Sequence, residues 1–283
     1  MVLDMCRLLA AWLRDGMIDS LNDVLHAFAE SSRFDPYLEK VSSGKSREHD
    51  DGWGVAAVGY GGNPSVVYQR MLEPIYSENS LRILDLVARR LRRYSEVYVL
   101  IHARKSSRNE PYGQDYTHPF MRLMDNGALW FAHNGGADKE ALARVLGVYP
   151  WVRVDSELLG YFIMGLIDEC VSGGGGLDEC VGKAYAEGLR FIPGASGYNT
   201  GLLALVSKTA SLYVSHKVLG NPSPELAEYY RIISYASREA VLAGSITIRE
   251  YMPGSLRKSL NEGLLEPGVY RIGAGGLTRV ASL

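Results

Sequence analysis

The sequence predicts an α+β chain in which antiparallel sheets are layered with helices. Three observations carry this. Strand-like runs come in groups and do not alternate strictly with helices. A helical block in the middle separates an early set of strands from a late one. No linker divides the 283 residues cleanly, so one domain over 1–283 is expected.

In order, helical periodicity marks 19–30 and 78–93. Residues 53–60, 65–70, 96–103 and 128–133 are rich in Val, Ile, Tyr, Leu and Ala between turn residues, and are expected as strands. Helices are expected at 137–147, 155–171 and 177–190, with the run Gly173 to Gly176 as a helix–helix loop. Strands return near 200–207, 210–216, 231–236, 239–243 and 268–272. The strand-rich part, 195–283, is expected to complete the sheets begun in the motif-bearing part, 5–160.

The composition is that of an ordinary globular chain, 47% hydrophobic and 22% charged with a formal net charge of -2. That balance argues against nucleic acid or an anionic membrane as the main partner. Arg89-Arg90-Leu91-Arg92-Arg93 is expected to be the solvated face of a helix whose core side is Leu81, Leu84, Ala88 and Leu91. No apolar run reaches the length of a membrane span, and the first residues lack the pattern of a secretory signal. Cys6, Cys170 and Cys180 do not form a disulfide framework; the latter two are expected as reduced thiols in a cytoplasmic protein. Glutamine occurs only at Gln69 and Gln114, and arginine outnumbers lysine, a bias of heat-adapted proteins.

Four clusters carry chemistry. Cys6 follows a second methionine, Met5; removal of Met5 makes Cys6 the first residue, with thiol and α-amine on one residue. Such an amine, with a pKa of about 7.7–8.0, can take the thiol proton. Position alone favours Cys6 as a small core residue in the run Leu8 to Trp12, since free cysteines are mostly buried. His102 to Ser107 follows a strand; Arg104 offers a planar fork for a carboxylate and Ser107 a further donor. His133-Asn134-Gly135 ends another strand, where an asparagine N–H and the next backbone N–H can converge on an oxyanion. Asp155-Ser156-Glu157 opens a helix, as a cap or as a holder for an ammonium group. His49-Asp50-Asp51-Gly52-Trp53-Gly54 leads into a strand, and His118-Pro119 is an extended or turn pair.

In this order the clusters resemble the class II glutamine amidotransferases, whose motifs run from an N-terminal Cys through Asp…Gly, His-x-Arg-x-Ser/Thr, His-Pro and His-Asn-Gly to Asp-Ser/Thr-Glu. The opening Met-Cys-Arg-Leu-Leu and the His-x-Asp-Gly-Trp-Gly form look most like the stand-alone subgroup that includes the γ-glutamyl amide hydrolase of ergothioneine synthesis. The resemblance covers residues 5–157 and is only general beyond 160. It implies a four-layer αββα sandwich of the N-terminal nucleophile hydrolase type. It also implies roles: Cys6 attacks the side-chain amide, Asn134 and Gly135 hold the oxyanion, Arg104 with Ser107 binds the α-carboxylate, Asp155 binds the α-ammonium, and His118 lines the substrate site. A γ-glutamyl thioester is the implied intermediate, with no cofactor and no metal. The sequence departs from the family in the five residues before Cys6, in Arg108 after the serine, and in Leu8-Leu9-Ala10-Ala11, where a glycine-containing stretch is usual.

The length leaves no room for a second catalytic domain after the hydrolase. The chain is therefore expected to hydrolyse glutamine or a γ-glutamyl amide itself, or to pass ammonia to a partner enzyme. Three rivals remain: a metal hydrolase using His49, Asp51, His102, His118 and His133, a non-catalytic binding subunit, and a nucleic-acid binder. The histidines lack the spacing of a helical metal motif.

Overall fold

A computed structural model describes residues 5–106 and 110–283. Among these residues thirteen strands form two sheets. In chain order they are β1 (Arg7–Arg14), β2 (Trp53–Tyr60), β3 (Pro64–Met71), β4 (Glu96–Ala103), β5 (Phe120–Met124), β6 (Gly127–Asn134), β7 (Asn199–Val206), β8 (Thr209–His216), β9 (Ile232–Ala236), β10 (Ala240–Ser245), β11 (Asn261–Leu264), β12 (Gly268–Gly273) and β13 (Gly276–Ala281). One sheet runs β11-β9-β10-β1-β4-β2-β3 and the other β13-β12-β8-β7-β6-β5. All the pairings are antiparallel.

Nine helices accompany them among the described residues: α1 (Leu21–Arg33), α2 (Pro36–Val41), α3 (Glu78–Leu91), α4 (Lys139–Leu146), α5 (Asp155–Ser172), α6 (Leu177–Gly188), α7 (Pro224–Tyr229), α8 (Ile248–Tyr251) and α9 (Gly254–Ser259). Alternation along β1 shows how the layers form. Leu9, Ala11 and Leu13 face α1 and α3, packing with Leu25, Phe28, Leu84 and Leu91. Leu8, Ala10 and Trp12 face the other way, onto Trp130, Leu203 and Leu212 of the second sheet. That sheet turns Leu129, Phe131 and Leu202 outward to Leu158, Ile163 and Tyr185 of α5 and α6. The period-two side-chain direction of a strand thus gives four layers, helix–sheet–sheet–helix. The fold is α+β, the αββα sandwich of the N-terminal nucleophile hydrolase type.

Residues 7–14, foreseen only as an apolar run, form a central strand. Strands buried on both faces lose polar alternation, and the sequence signal goes with it. The short edge strands β11 and β13 and the strand β5 also went unforeseen. On α3, Leu84, Ala88 and Leu91 are buried and Leu81 is partly buried, while Arg89 and Arg90, and Arg92 and Arg93 just past its end, are exposed.

One expectation is corrected: Cys170 and Cys180 are not separate thiols but a disulfide. The glycine loop folds α6 back on α5 and brings the two Cα atoms to 5.7 Å, within bridging range. Gly175 completes the turn against the bridge, where a Cβ would lie 2.6 and 2.8 Å from the two sulfurs. No described helix is long and apolar enough to cross a membrane.

Candidate active site

Cys6 stands just ahead of β1, on the central strand of its sheet, and is buried. Two neighbours in the sandwich fix it. Its backbone N–H donates to Asn134 Oδ1 at 3.1 Å, and its Sγ lies 3.7 Å from the Lys105 carbonyl oxygen. Asn134 is the last residue of β6 in the opposite sheet. Asn134 Nδ2 is buried and has no partner among the described residues.

Gly135 follows at φ 150°, and a Cβ there would lie 1.9 Å from the Gly197 carbonyl oxygen. No other residue fits this close approach. His133 orients the turn from beneath. Its Nε2 donates to the Gly197 carbonyl at 3.2 Å, which leaves Nδ1 to accept from Ser156 Oγ at 3.0 Å. Burial pushes the His133 imidazole down to about 4.

Arg104 leaves the end of β4 and is almost fully buried. Its Nη2 donates to Ser106 Oγ at 2.9 Å and to the Pro111 carbonyl at 3.1 Å. Its Nη1 is buried with no partner among the described residues. The segment before β2 holds this loop: Asp51 N–H donates to the Arg104 carbonyl, Arg104 N–H to the Gly52 carbonyl, and Ser106 N–H to Asp51 Oδ2. Gly54, the second residue of β2, is a steric requirement, since a Cβ there would lie 2.3 Å from the His118 carbonyl oxygen.

A narrow pocket is lined by Cys6, Arg104, Lys105, Glu110, His118 and Asp155, with Val154 and Ser156. The fold thus brings Cys6, Arg104, His118 and Asp155 to one cavity, with Asn134 bonded to Cys6 behind it. Ser107 lies outside the described residues. His118 precedes a cis peptide bond to Pro119 and lies 4.0 Å from the His102 ring and 4.5 Å from Phe120. Neither of its ring nitrogens has a partner among the described residues, and burial holds it well below the usual range, with His102 and Arg104 adding to the effect.

Asp155 does not cap α5. Val154 occupies the cap position without a side-chain bond, and Asp155 Oδ2 instead accepts from Ala137 N–H at 2.7 Å, tying α5 to the Asn134–Gly135 turn. Glu157 turns away to pair with Arg153 at 2.6 Å. His102 and His118 adjoin, but among the described residues there is no group of three or more His, Cys, Asp or Glu placed to hold a metal ion.

Sequence reading missed a buried cluster behind Cys6. Arg7 pairs with Asp35, and its guanidinium carbon sits 3.9 Å over the Tyr229 ring. Tyr229 donates its hydroxyl to the Cys6 carbonyl at 3.1 Å. Asp35 Oδ1 caps α2 and accepts from Thr247 Oγ1 at 2.9 Å, while Oδ2 faces His49 Nε2 at 2.8 Å. Burial alone would raise the Asp35 carboxyl; Arg7 and His49 hold it well below the usual carboxylate range. Asp35-Pro36 looks in sequence like a helix start, which it also is, so nothing local marked its second role.

A thiol, a buried amide with a spare donor and a buried guanidinium with a spare donor thus lie together in an αββα sandwich. The sequence profile of the class-II glutamine amidotransferases matches residues 34–186, more than half of the chain, and the protein belongs to that family. Over 126 residues it is 29% identical to an uncharacterised protein of Methanocaldococcus jannaschii, covering 44% of this chain and 33% of that one. Among solved structures, the allosteric regulatory enzyme of purine biosynthesis superposes on 97% of this chain and 49% of its own, with a TM-score of 0.56 at 15% identity. A glutamine aminotransferase class-II domain protein from Silicibacter pomeroyi matches 96% of this chain and 97% of its own at 17% identity, with a TM-score of 0.44. The purine enzyme supports the fold alone. This chain spans about half of that enzyme and a third of the archaeal relative.

Proposed function

We propose that this protein hydrolyses the side-chain amide of glutamine or of a γ-glutamyl amide, with Cys6 as the nucleophile at the start of the mature chain. Loss of residues 1–5, through initiation at Met5 and its removal or through cleavage after Met5, supplies the free α-amine. The amine takes the thiol proton, and Sγ adds to the amide carbon. Asn134 Nδ2 and the Gly135 N–H hold the oxyanion. The C–N bond breaks as the departing ammonia or amine takes that proton. Water then cleaves the γ-glutamyl thioester to give glutamate and regenerate the thiol. Arg104, with Ser107, holds the α-carboxylate, Asp155 holds the α-ammonium, and His118 walls the pocket.

One observation carries this reading. Asn134 spends its oxygen on the Cys6 nitrogen and keeps a buried N–H₂ with no partner among the described residues. Leaving a buried donor unsatisfied costs about 1–3 kcal/mol, so such a group beside a thiol is a site awaiting an oxygen. Arg104 Nη1 is the matching spare donor for a carboxylate.

In a chain that keeps residue 5, the Cys6 nitrogen is an amide and not a base. This favours a second reading, a subunit that binds glutamine without turnover or serves a partner synthetase. A cytoplasmic setting would keep Cys6 reduced; the 170–180 bridge runs against that setting, since disulfides are rare in cytosolic proteins outside hyperthermophiles.

The test is glutamate release from glutamine and from a panel of γ-glutamyl amides, using chains that begin at Met1 and at Cys6, with Cys6→Ala as control. Turnover only with an exposed, intact Cys6 supports hydrolysis. Binding of glutamine without turnover by the Cys6-first chain would favour the subunit.

A further inference from the structure

His49 is fully buried behind the nucleophile, and both of its ring nitrogens face acceptors. Nδ1 lies 2.8 Å from the Met5 carbonyl oxygen and Nε2 lies 2.8 Å from Asp35 Oδ2. A neutral imidazole has one N–H, so it satisfies only one of them. Carrying two protons would leave His49, Arg7 and Asp35 with a net positive charge inside the protein, and burial works against that form. The carboxylate is the stronger acceptor and takes the single proton on Nε2. Nδ1 then points a lone pair at the Met5 carbonyl. With residue 5 in place, the two acceptors oppose each other.

Without residue 5 the conflict disappears. The Met5 oxygen and the Cys6 nitrogen share one carbon and lie about 2.2 Å apart by covalent geometry. The Nδ1 lone pair therefore faces the space beside the new α-amine. We propose that His49, held by Asp35, is a positioning residue that accepts an N–H of the mature Cys6 α-amine. This rests on the hydrolase reading only in taking Cys6 as the first residue. Asn134 Oδ1 accepts one N–H of the amine. His49 Nδ1 accepts the other, directly or through one water in the volume left by the Met5 carbonyl. An amine has two N–H bonds and one lone pair. With both N–H bonds held, the lone pair is directed by exclusion to the thiol of its own residue.

The electrostatic sign follows. A lone pair backed by the Asp35 carboxylate favours the ammonium form and raises the amine pKa. The other groups near the amine are the Arg7 guanidinium, offset by Asp35, the Tyr229 hydroxyl, and the Arg104, Lys105, Glu110, His118 and Asp155 side chains lining the Cys6 pocket. Of these groups only Asp35 bonds His49, and His49→Gln keeps a donor for it.

The experiment uses the chain beginning at Cys6, released from a cleavable fusion and verified by intact mass. Three proteins are compared: wild type, His49→Phe, which keeps volume but no acceptor, and His49→Gln, whose amide can donate to Asp35 and accept from the amine. For His49→Phe the expected result is a kcat lower by about tenfold or more with KM unchanged, and an acid limb of kcat/KM moved to lower pH. His49→Gln recovers most of kcat. A folded His49→Phe protein with an unmoved limb and unchanged kcat would overturn the proposal. A second measurement needs neither activity nor a variant. In ¹⁵N-histidine-labelled wild-type chain beginning at Cys6, His49 Nδ1 is expected to be unprotonated at pH 7, and a protonated Nδ1 would sink the idea. If no γ-glutamyl amide is turned over, the hydrolase reading fails, and the nitrogen spectrum still decides the role of His49.

Discussion

Asn134 and Cys6 come from opposite sheets, 128 positions apart in sequence, and meet through a 3.1 Å hydrogen bond from the Cys6 N–H to Asn134 Oδ1. One amide thereby holds the Cys6 backbone and presents its remaining donors beside the thiol. Replacing Asn134 by Ala removes both functions. The expected result in the Cys6-first protein is a fall in kcat of about 10²–10³, the usual cost of losing one oxyanion donor, with a smaller change in KM. Steady-state kinetics on glutamine checks it. A drop confined to KM would remove Asn134 from the transition state.

Arg104→Lys tests the fork. Lysine keeps the charge, but it cannot bond Ser106 and Pro111 while aiming a second planar donor into the pocket. A loss of about 2 kcal/mol, roughly 30-fold in kcat/KM and mostly in KM, is expected. The loss should shrink for an amide that lacks the α-carboxylate.

Gly135→Ala places a methyl 1.9 Å from the Gly197 carbonyl on a backbone at φ 150°. The turn must move, and with it the site. A destabilisation of about 1–3 kcal/mol is expected in denaturant titration, with activity lost more steeply than stability.

Acid should destabilise the fold well above the carboxylate range. Burial pushes His102 down to about 3, and His133 and His216 to about 4, and it holds His118 well below its ordinary value. Below about pH 6.5 the unfolded chain binds protons that the folded chain refuses, so stability falls as pH falls. Each such histidine contributes at most about 1.4 kcal/mol per pH unit between its unfolded and folded values. Asp35, depressed in the fold, adds its loss only below its unfolded value near 3.8. Melting temperature against pH should drop between 6.5 and 4, less steeply in a folded His216→Asn variant.

Breaking the bridge with Cys170→Ser and Cys180→Ser opens a short loop, with a separation of 10 residues. About 2–4 kcal/mol of stability should go. Activity at moderate temperature should hold, because the bridge sits at the far end of α5 from Asp155. Equal losses of stability and kcat would show that the bridge also shapes the site.

Much of this protein is legible in its sequence. Amphipathic helices such as Glu78–Leu91 and one-face strands announce themselves by periodicity, which is local physics. The order of Cys6, Arg104, Asn134 and Asp155 among glycines and strand ends marked the site, because tight turns and spare donors demand particular residue types. What stayed hidden depends on which surfaces meet. β1 lacks alternation because both of its faces are covered, Cys170 and Cys180 become partners only when α6 folds back, and His49 acquires its role only through Met5 and Asp35. Spacing along the chain says which groups are available. Only packing of the two sheets decides which of them lie within hydrogen-bond distance, since that distance is set by contacts between residues far apart in sequence.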